Sequence, residues 1–147
     1  MTQAVTFTLA DETYGVSIAQ LQEIVAWVAP VRIPHAPSWI EGLIDLRGTL
    51  VPLIDLRKRF DLPPSEALPS RCVIVAHISG EVIGLLVDAV KEVAYLQTMD
   101  QVPAAAKTAR SAFVSGVARI REGTPLILLI DLDRLLNADE VRSLQSV

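Results

Sequence analysis

Asp55 and Asp131 form the pair of side chains in this sequence that comes closest to a catalytic arrangement. They stand at equivalent places in two similar halves of the chain, as the two carboxylates of a two-lobed acid hydrolase would. Such an enzyme needs two carboxyl groups with different proton affinities. Here each aspartate is followed by Leu rather than by a Thr/Ser-Gly turn, and each precedes a short helical segment, which favours helix capping. An acid hydrolase using Asp55 and Asp131 is kept as a remote alternative.

The other reactive residue types are too isolated in the sequence to form a site. His35 and His77 have no second ligand at metal-binding spacing. Cys72, the single cysteine, has no base partner, cannot form an internal disulfide and opens an apolar run, so we expect a buried, unreactive thiol. The sequence has no Gly-x-Ser-x-Gly elbow and no glycine-rich phosphate loop. It therefore predicts no catalytic residue, no metal and no cofactor.

The composition is typical of a globular protein that neither binds nucleic acid nor inserts into a membrane. The 147 residues include 13 Lys+Arg and 17 Asp+Glu, a net charge of −4, and 51% of them are hydrophobic. Disordered chains have a lower apolar fraction, and nucleic-acid-binding chains have a basic excess. No apolar run approaches the roughly 18 residues of a membrane-spanning helix, and the N-terminus lacks the pattern of a secretory signal. We expect a cytoplasmic protein.

Hydrophobic periodicity predicts short strands over most of the chain. The predicted strands are residues 5–9, 14–18, 42–44, 50–54, 72–78, 82–87, 114–120 and 125–130. Short helices are predicted after Asp55 and Asp131, and the tail beyond residue 137 is predicted to be helical or frayed. The spacing of apolar residues from Ile18 to Val25 predicts a further helix or helical turn. Residues 62–70, with three prolines, indicate a linker, and residues 97–112 indicate a surface loop.

The two halves of the chain resemble each other. Residues 14–25 align with residues 83–94 at an offset of 69, with Gly15/Gly84 and Glu23/Glu92 as identities, and residues 52–56 align with residues 128–132 at an offset of 76. The seven extra residues of the second copy are assigned to its central loop. Short apolar strands also resemble one another by chance, but the glycines, glutamates and capping aspartates recur in the same order. The pattern of short strands in each copy predicts a small β-barrel, and two such barrels side by side would leave a groove between them.

Arg47 is the charged residue best suited to recognition of a partner. It lies between Leu46 and Gly48 at a predicted strand turn, so its guanidinium is expected to reach solvent and to present several hydrogen-bond donors. An ordinary solubilising arginine is the alternative. Two apolar stripes related by the repeat fit either core packing or an interface. They are Ile18, Leu21, Ile24 and Val25 in the first copy, and Val87, Val90 and Val93 in the second.

These motifs, taken in order, resemble those of the CheW family, the coupling proteins of bacterial chemosensory systems. The resemblance runs from about residue 7 to residue 136. It is carried by Phe-Thr-Leu-Ala-Asp-Glu-Thr-Tyr-Gly-Val at 7–16, Gln-Glu-Ile at 22–24, Gly-Leu-Ile-Asp-Leu-Arg-Gly at 42–48, Val-Pro-Leu-Ile-Asp-Leu-Arg at 51–57 and Ile-Gly-Leu-Leu-Val-Asp-Ala-Val at 83–90. The family's Asn-Leu-Arg-Gly motif has Asp45 in place of the asparagine, which predicts either a pair with Arg47 or an altered choice of receptor.

The resemblance implies a mainly β fold of two intertwined five-stranded SH3-like β-barrels with short helices. It implies one domain over residues 1–147 made of two subdomains, about 5–65 and about 70–136, allowing for exchange of terminal elements. The implied function is that of a non-enzymatic scaffold, or adaptor. It binds the regulatory domain of a CheA-type histidine kinase and the cytoplasmic hairpin tip of chemoreceptors, and it is recruited to membrane-associated receptor arrays. Positions at or beside the family's binding groove are matched by Arg47, Ile18, Leu21, Glu23, Ile24, Val87 and Val90.

Two further functions stay open at this point. One is an adaptor of a related chemosensory pathway that controls pili, surface sensing or development. The other is the acid hydrolase considered above. With 147 residues the chain has no room for a kinase, phosphotransfer or receiver domain in addition, so a stand-alone adaptor is expected.

Overall fold

In a computed structural model of the chain, the structure describes residues 2–64, 68–103 and 113–135. The strands in these ranges are β1 (Thr2–Leu9), β2 (Glu12–Ser17), β3 (Leu21–Ala26), β4 (Ile40–Leu46), β5 (Thr49–Asp55), β6 (Cys72–Ile78), β7 (Glu81–Val87), β8 (Ala89–Leu96), β9 (Thr98–Asp100), β10 (Val114–Arg119) and β11 (Ile127–Ile130). The helices are a 3-10 turn (Ile18–Gln20), α1 (Leu56–Arg59) and α2 (Leu132–Leu135). The predicted tail and most of the predicted loop, residues 104–112, lie outside the described residues.

The strands form two sheets that divide the chain in an unusual way. The first sheet has the order β8-β1-β2-β11-β10-β9, and the second has the order β3-β6-β7-β5-β4. The first sheet therefore combines both ends of the described chain, and the second is built from its middle. Each copy of the sequence repeat contributes strands to both sheets. The predicted mainly β class with short helices is confirmed, and the exchange of strands is consistent with two intertwined SH3-like barrels.

The parallel strand pairs show that the sequence repeat is also a structural repeat. β5 runs parallel to β7 with Leu53 opposite Gly84, and β11 runs parallel to β2 with Leu129 opposite Gly15. Applying the offsets of 76 and 69 turns one pairing into the other. At Gly84 an added Cβ would lie 2.9 Å from Val73 and would force a shift, and at Gly15 it would make a tight contact of 3.3 Å with Ile127.

The antiparallel pairs between the two copies repeat in the same way. β1 pairs with β8, with Val5 opposite Val93, and β6 pairs with β3, with Ile74 opposite Ile24. Each pair contains a register shift at the same relative place, one residue before Glu92 in β8 and one residue before Glu23 in β3. A β-bulge of this kind bends a strand and changes which face its side chains point to.

The predicted helix or helical turn from Ile18 to Val25 is confirmed for its first three residues and is wrong for the rest. Only Ile18–Gln20 is helical, as a 3-10 turn, and the chain continues as β3. The bulge inserts Gln22 between Leu21 and Glu23, so the apolar residues no longer alternate strictly and their spacing resembles that of a helix. The same explanation applies to Val87, Val90 and Val93, which lie at the end of β7 and in β8.

Two other sequence expectations need correction. Residues 98–100 of the predicted loop form β9, which pairs with β10 and gives the first sheet a sixth strand where five were predicted. The paired registers also place Gly42 and Gly116 at an offset of 74. Five of the seven extra residues of the second copy therefore lie between β8 and β10, and the other two lie in the connection from β10 to β11.

Three apolar clusters hold the sheets together. The largest, here called the shared core, takes residues from both sheets: Val5, Phe7, Leu9, Tyr14, Val16, Ile54, Leu56, Phe60, Ile74, Ala76, Ile78, Ile83, Leu85, Val87, Phe113, Ile130, Leu132 and Leu135. Two smaller clusters lie within one sheet each, around Leu129 in the first and around Leu53 in the second. Because most of the buried side chains belong to the shared core, the two sheets stabilise each other rather than fold as separate units.

Candidate functional site

Arg47 and Glu23, predicted separately as partner-binding residues, are in direct contact. Arg47 Nη1 donates to Glu23 Oε1 at 2.9 Å, and Nη2 donates to Oε2 at 2.5 Å. The Arg47 side chain is 68% exposed and that of Glu23 is 26% exposed. The hydrogen bonds from Arg47 lower the pKa of Glu23, and the same bonds raise the pKa of Arg47. The pair joins β3 to the turn between β4 and β5, and it leaves the Nε donor of Arg47 available to a partner.

The turn that carries Arg47 is held by Asp45. Its Oδ1 accepts the backbone N–H of Gly48 at 2.7 Å, and Arg47 and Gly48 both adopt positive φ, at 51° and 89°. Asparagine and aspartate side chains both accept such a bond, so Asp45 can fill the turn position of the family's asparagine. The expected pairing of Asp45 with Arg47 is wrong, because Arg47 pairs with Glu23 instead.

The apolar candidates form three pairs related by the repeat, and the pairs differ in exposure. Ile24 and its counterpart Val93 are exposed, at 41% and 48%. Leu21 and its counterpart Val90 are partly buried against the shared core. Ile18 is also partly buried, but its counterpart Val87 is only 1% exposed and belongs to the shared core. Of these six residues, only Val87 is therefore inaccessible to a partner. The other five are at least partly exposed: Ile18, Leu21, Ile24, Val90 and Val93.

Ile24 and Val93 lie on strands with the same place in the two sheets. β3 is one of the two edge strands of the second sheet, and β8 is one of the two edge strands of the first. On β8, Tyr95 is exposed on the same face as Val93. The chain thus presents two related edge strands. On β3 the Arg47–Glu23 pair and Ile24 lie on opposite faces of the strand, and on β8 Val93 and Tyr95 share one face.

Sequence reasoning missed a second, less exposed ion pair. Arg57 Nε donates to Asp88 Oδ1 at 2.8 Å and Arg57 Nη2 donates to Asp88 Oδ2 at 2.5 Å, with side-chain exposures of 15% and 13%. Both residues lie inside the motifs quoted above, at 51–57 and 83–90. Their pairing could not be predicted from local pattern, because 31 residues separate them.

Asp55 and Asp131, the proposed catalytic carboxylates, cap the two helices. Asp55 Oδ1 accepts the N–H of Arg57 at 2.9 Å, and Asp131 Oδ1 accepts the N–H of Asp133 at 3.0 Å. Burial, and next the nearby Glu41, raise the pKa of Asp55. The capping interpretation is confirmed, and the same bond in both copies explains why the aspartates recur.

The other reactive residues are scattered. His35 and His77 are exposed, and Cys72 is partly buried at the start of β6, where burial raises the pKa of its thiol. Among the described residues no three His, Cys, Asp or Glu side chains are grouped as a metal ion would require. Within the same residues, no helix has the length and apolar character needed to span a membrane.

A duplicated pair of small β-sheets around a shared core, with charged and apolar residues on both sheet edges, is the architecture of a two-barrel binding module. Comparison with known proteins defines the family. The model of the CheW-like domain matches residues 3–140. The chain is 33% identical to the chemotaxis protein CheW of Klebsiella aerogenes, over 96% of this chain and 85% of the relative. It is 32% identical to the chemotaxis protein CheW of Rhizobium meliloti, over 94% of this chain and 89% of the relative.

A solved structure agrees with this result. The crystal structure of the scaffolding protein TtCheW from Thermoanaerobacter tengcongensis matches with a TM-score of 0.84 and 36% identity, covering 95% of this chain and 96% of that one. The chain belongs to the CheW-like domain family. The family is one of scaffolds that couple chemoreceptors to the kinase CheA, and it is not an enzyme family. The hydrolase alternative is wrong, and the alternative of a related pathway is not favoured, because the relatives are named for chemotaxis.

Proposed function

We propose that this chain links the cytoplasmic hairpin tip of a chemoreceptor to the regulatory domain of a CheA-type histidine kinase, in the cytoplasm at membrane-associated receptor arrays. The observation that carries the proposal is the presence of two edge surfaces that share a backbone but differ in chemistry. On β3, Glu23 is paired with Arg47, whereas β8 exposes Val93 and Tyr95 at the places of Ile24 and Ala26. A scaffold that holds two different partners at once needs two surfaces that do not compete.

The receptor tip is assigned to the side with Arg47. Arg47 is fixed by Glu23, so it loses little conformational entropy when a partner accepts a bond from its remaining donors. Ile24 follows Glu23 on β3 and points to the opposite face, where Leu21 and Val90 supply partly buried apolar area beside the shared core, and Ile18 is partly buried at the start of the 3-10 turn. Val87 supports this area from the core and acts through packing. A helical hairpin offers the matching apolar stripe with polar flanks.

The kinase regulatory domain is assigned to the edge strand β8. Val93 and Tyr95 are exposed by 48% and 61% on one face of it. Aromatic and β-branched side chains on a sheet edge supply the rigid apolar area that protein partners use as anchors. The receptor side uses Val90 at the start of β8, and the kinase side uses Val93 and Tyr95 toward its end, so the proposal has the two partners bound together at adjoining places on the protein.

The proposal is tested with Arg47→Glu and a matched control, Arg121→Glu. Arg121 is an exposed arginine in the connection from β10 to β11, which corresponds to the turn of Arg47, so the two variants make the same change of charge in equivalent turns. We expect Arg47→Glu to weaken binding of a receptor hairpin fragment about tenfold, the equivalent of about 1.4 kcal/mol, and to leave kinase binding unchanged. Arg121→Glu should change neither. Receptor binding by Arg47→Glu at the wild-type level, with the fold intact by circular dichroism, would refute the assignment.

Tyr95→Ala provides the converse measurement. It should weaken binding of the kinase regulatory domain about tenfold and leave the receptor fragment bound, because it removes an exposed aromatic anchor without opening a core cavity. Loss of receptor binding in place of kinase binding would reverse the two assignments. Full binding of both partners by Tyr95→Ala would refute the kinase assignment.

A further inference from the structure

The chain passes between the two sheets at two crossovers that correspond to each other in the repeat. The first crossover, residues 17–20, leads from β2 of the first sheet to β3 of the second. The second crossover, residues 87–89, leads from β7 of the second sheet to β8 of the first. At the offset of 69, Asp88 occupies the place of Ala19. The candidate groove residues flank these crossovers, Ile18 and Leu21 at the first and Val87 and Val90 at the second.

Asp88 binds groups from both sheets at once. Its carboxylate accepts two bonds from Arg57, on the helix that follows β5 of the second sheet. Oδ2 also accepts the backbone N–H of Ala10 at 2.9 Å, and the Asp88 backbone N–H donates to the carbonyl of Thr8 at 3.1 Å. Ala10 and Thr8 belong to the hairpin of the first sheet. One side chain thus connects the two halves of the fold.

The segment around this connection is fixed as well. Arg57 Nη1 donates to the carbonyl of Pro63 at 2.9 Å, and Ser70 Oγ donates to the carbonyl of Asp88 at 2.8 Å. Two planar groups held by parallel bonds, each about 15% exposed or less, resist reorientation more than a solvated ion pair does. The second crossover is therefore locked.

Among the residues that the structure describes, none locks the first crossover in this way. In the repeat alignment, the first crossover has Ala19 at the position of Asp88. The helix that would supply a partner to it has Asp133 at the position of Arg57. Its backbone turn is closed by the Leu21 N–H to the carbonyl of Ile18. Its side-chain bonds are the N–H of Ala19 to Ser17 Oγ at 3.2 Å and Gln20 Nε2 to the carbonyl of His77 at 3.3 Å, and both are exposed to solvent. Exposed side-chain bonds of this length open easily in water.

We propose that Asp88 and Arg57 are positioning residues of the receptor-binding groove. They hold the wall that carries Val87 and Val90 rigid, whereas the wall that carries Ile18 and Leu21 adjusts to the bound partner. The inference rests on the proposed function for the identity of that partner. The difference between the two crossovers is a property of the free protein.

A neighbouring ion pair supplies a matched control. Lys58 Nζ lies 2.6 Å from Glu41 Oε1, and the Glu41 side chain is 15% exposed, close to the 13% of Asp88. Lys58 follows Arg57 on the same helix, but Glu41 lies in β4, so this pair stays within the second sheet and its helix. Asp88→Asn and Glu41→Gln both turn a carboxylate bound to α1 into an amide, and only the first change touches a crossover.

The first experiment measures amide hydrogen exchange in the free full-length protein. We expect wild-type amides at residues 17–20 to exchange at least about tenfold faster than those at residues 87–90. Asp88→Asn should remove most of this difference by raising exchange at residues 87–90, and Glu41→Gln should preserve it. Equal exchange at the two wild-type crossovers, or an unchanged second crossover in Asp88→Asn, would overturn the proposal.

The second experiment measures the affinities of the same variants for the receptor hairpin fragment and for the kinase regulatory domain. Asp88→Asn should weaken the receptor complex about tenfold and leave the kinase complex within about twofold, and Glu41→Gln should weaken neither. A purely structural loss would lower both affinities together and would refute the positioning role. If exchange responds as expected and receptor binding does not, the lock stands and its link to the groove is wrong. Failure of the proposed function itself would appear separately, as wild-type protein that does not bind the receptor fragment.

Discussion

The two copies of the repeat share their backbone pairing and differ in their charged contacts. Leu53 faces Gly84 as Leu129 faces Gly15, and both helices start from a capping aspartate. The first copy, by contrast, supplies Arg47 and Arg57 for ion pairs with residues far away in sequence. In the repeat alignment, the second copy has Asp133 at the position of Arg57 and Glu122 at the position of Arg47.

This difference separates two kinds of constraint on the chain. Register, bulges and caps depend on glycines, aliphatic residues and short polar side chains, and these recur in both copies because both must build the same sheet pairing. Charged contacts do not determine the pairing, so they have diverged and distinguish one edge or crossover from the other. The repeat therefore explains the fold, and the departures from it indicate where the two halves have different tasks.

The largest expected effect tests whether equivalent glycines are equally required. Gly42 has φ of 142°, and a Cβ there would overlap the carbonyl oxygen of Val31, which accepts the N–H of Leu43. At Gly116 the φ is ordinary, and the added Cβ would lie 2.9 Å from the carbonyl oxygen of Asp100. We expect Gly42→Ala to lower the free energy of unfolding by about 4 kcal/mol and Gly116→Ala by about 2 kcal/mol. Urea titration followed by tryptophan fluorescence measures both, and equal losses would contradict the difference.

Leu56 and Leu132 test the symmetry of the shared core. Each is the first residue of its helix, fully buried in that core. Because the surroundings correspond, Leu56→Ala and Leu132→Ala should each lower the free energy of unfolding by about 3 kcal/mol. The exposed Leu50, changed to Ala, should cost less than about 0.5 kcal/mol. A gap of more than about 1 kcal/mol between the two core variants would show that the copies do not contribute equally.

Asp88 and Asp55 should respond to acid in opposite directions. Burial alone would raise the pKa of Asp88, but the bonds from Arg57 and from the Ala10 N–H outweigh it and lower that pKa below the ordinary 3.8. Asp88 therefore stabilises the fold fully above pH 3.8 and loses this contribution as the pH falls through its lowered pKa. At neutral pH we expect Asp88→Asn to cost about 2 kcal/mol, with the difference from wild type shrinking in acid.

For Asp55 the dependence of stability on pH has the opposite sign, because burial and Glu41 raise the pKa of its carboxyl group. The folded state then binds a proton more tightly than the unfolded chain does, so wild type gains stability relative to Asp55→Asn as the pH falls toward 3.8. Asparagine caps a helix as well as aspartate does, so the comparison isolates the charge. Urea titrations between about pH 3 and pH 7 measure both variants, and parallel pH profiles would contradict the opposite signs.

The smallest effect concerns the caps themselves. Removing the side-chain acceptor in Asp131→Ala should cost about 1 kcal/mol, as N-cap losses do. Asp55→Ala should cost about half as much, because burial already penalises the Asp55 carboxylate. Thermal melting of the two variants gives the ranking, and a larger loss for Asp55→Ala would reverse it.

Much of the fold could be predicted from the sequence because the repeat gives two sequence segments for each structural element. The hairpins, the capped helices and the mainly β class follow from alternation and from recurring glycines and aspartates. The stretch from Ile18 to Val25 could not be assigned from periodicity, because a bulge inside a strand imitates helical spacing. β9 was missed because three residues with one apolar member carry no pattern, and only pairing with β10 defines the strand.

The candidate site was predictable as a set of residues but not as a geometry. Arg47 was identified from its place at a predicted turn and Glu23 through the resemblance, yet their contact spans 24 residues. Asp88 and Arg57 carry no local signal that they meet. Long-range ion pairs depend on how the sheets exchange strands, and the alignment of two sequence copies does not contain that information.

The exchange of strands also has a consequence for synthesis. β2 pairs with β11, more than 110 residues further along the chain, so the first hairpin leaves the ribosome long before its neighbouring strand exists. The second sheet, by contrast, closes among residues 21–87. All strands of the second sheet are synthesised before the strands that complete the first, and completing the first sheet requires a long loop closure that slows folding and leaves an open strand edge exposed in the meantime.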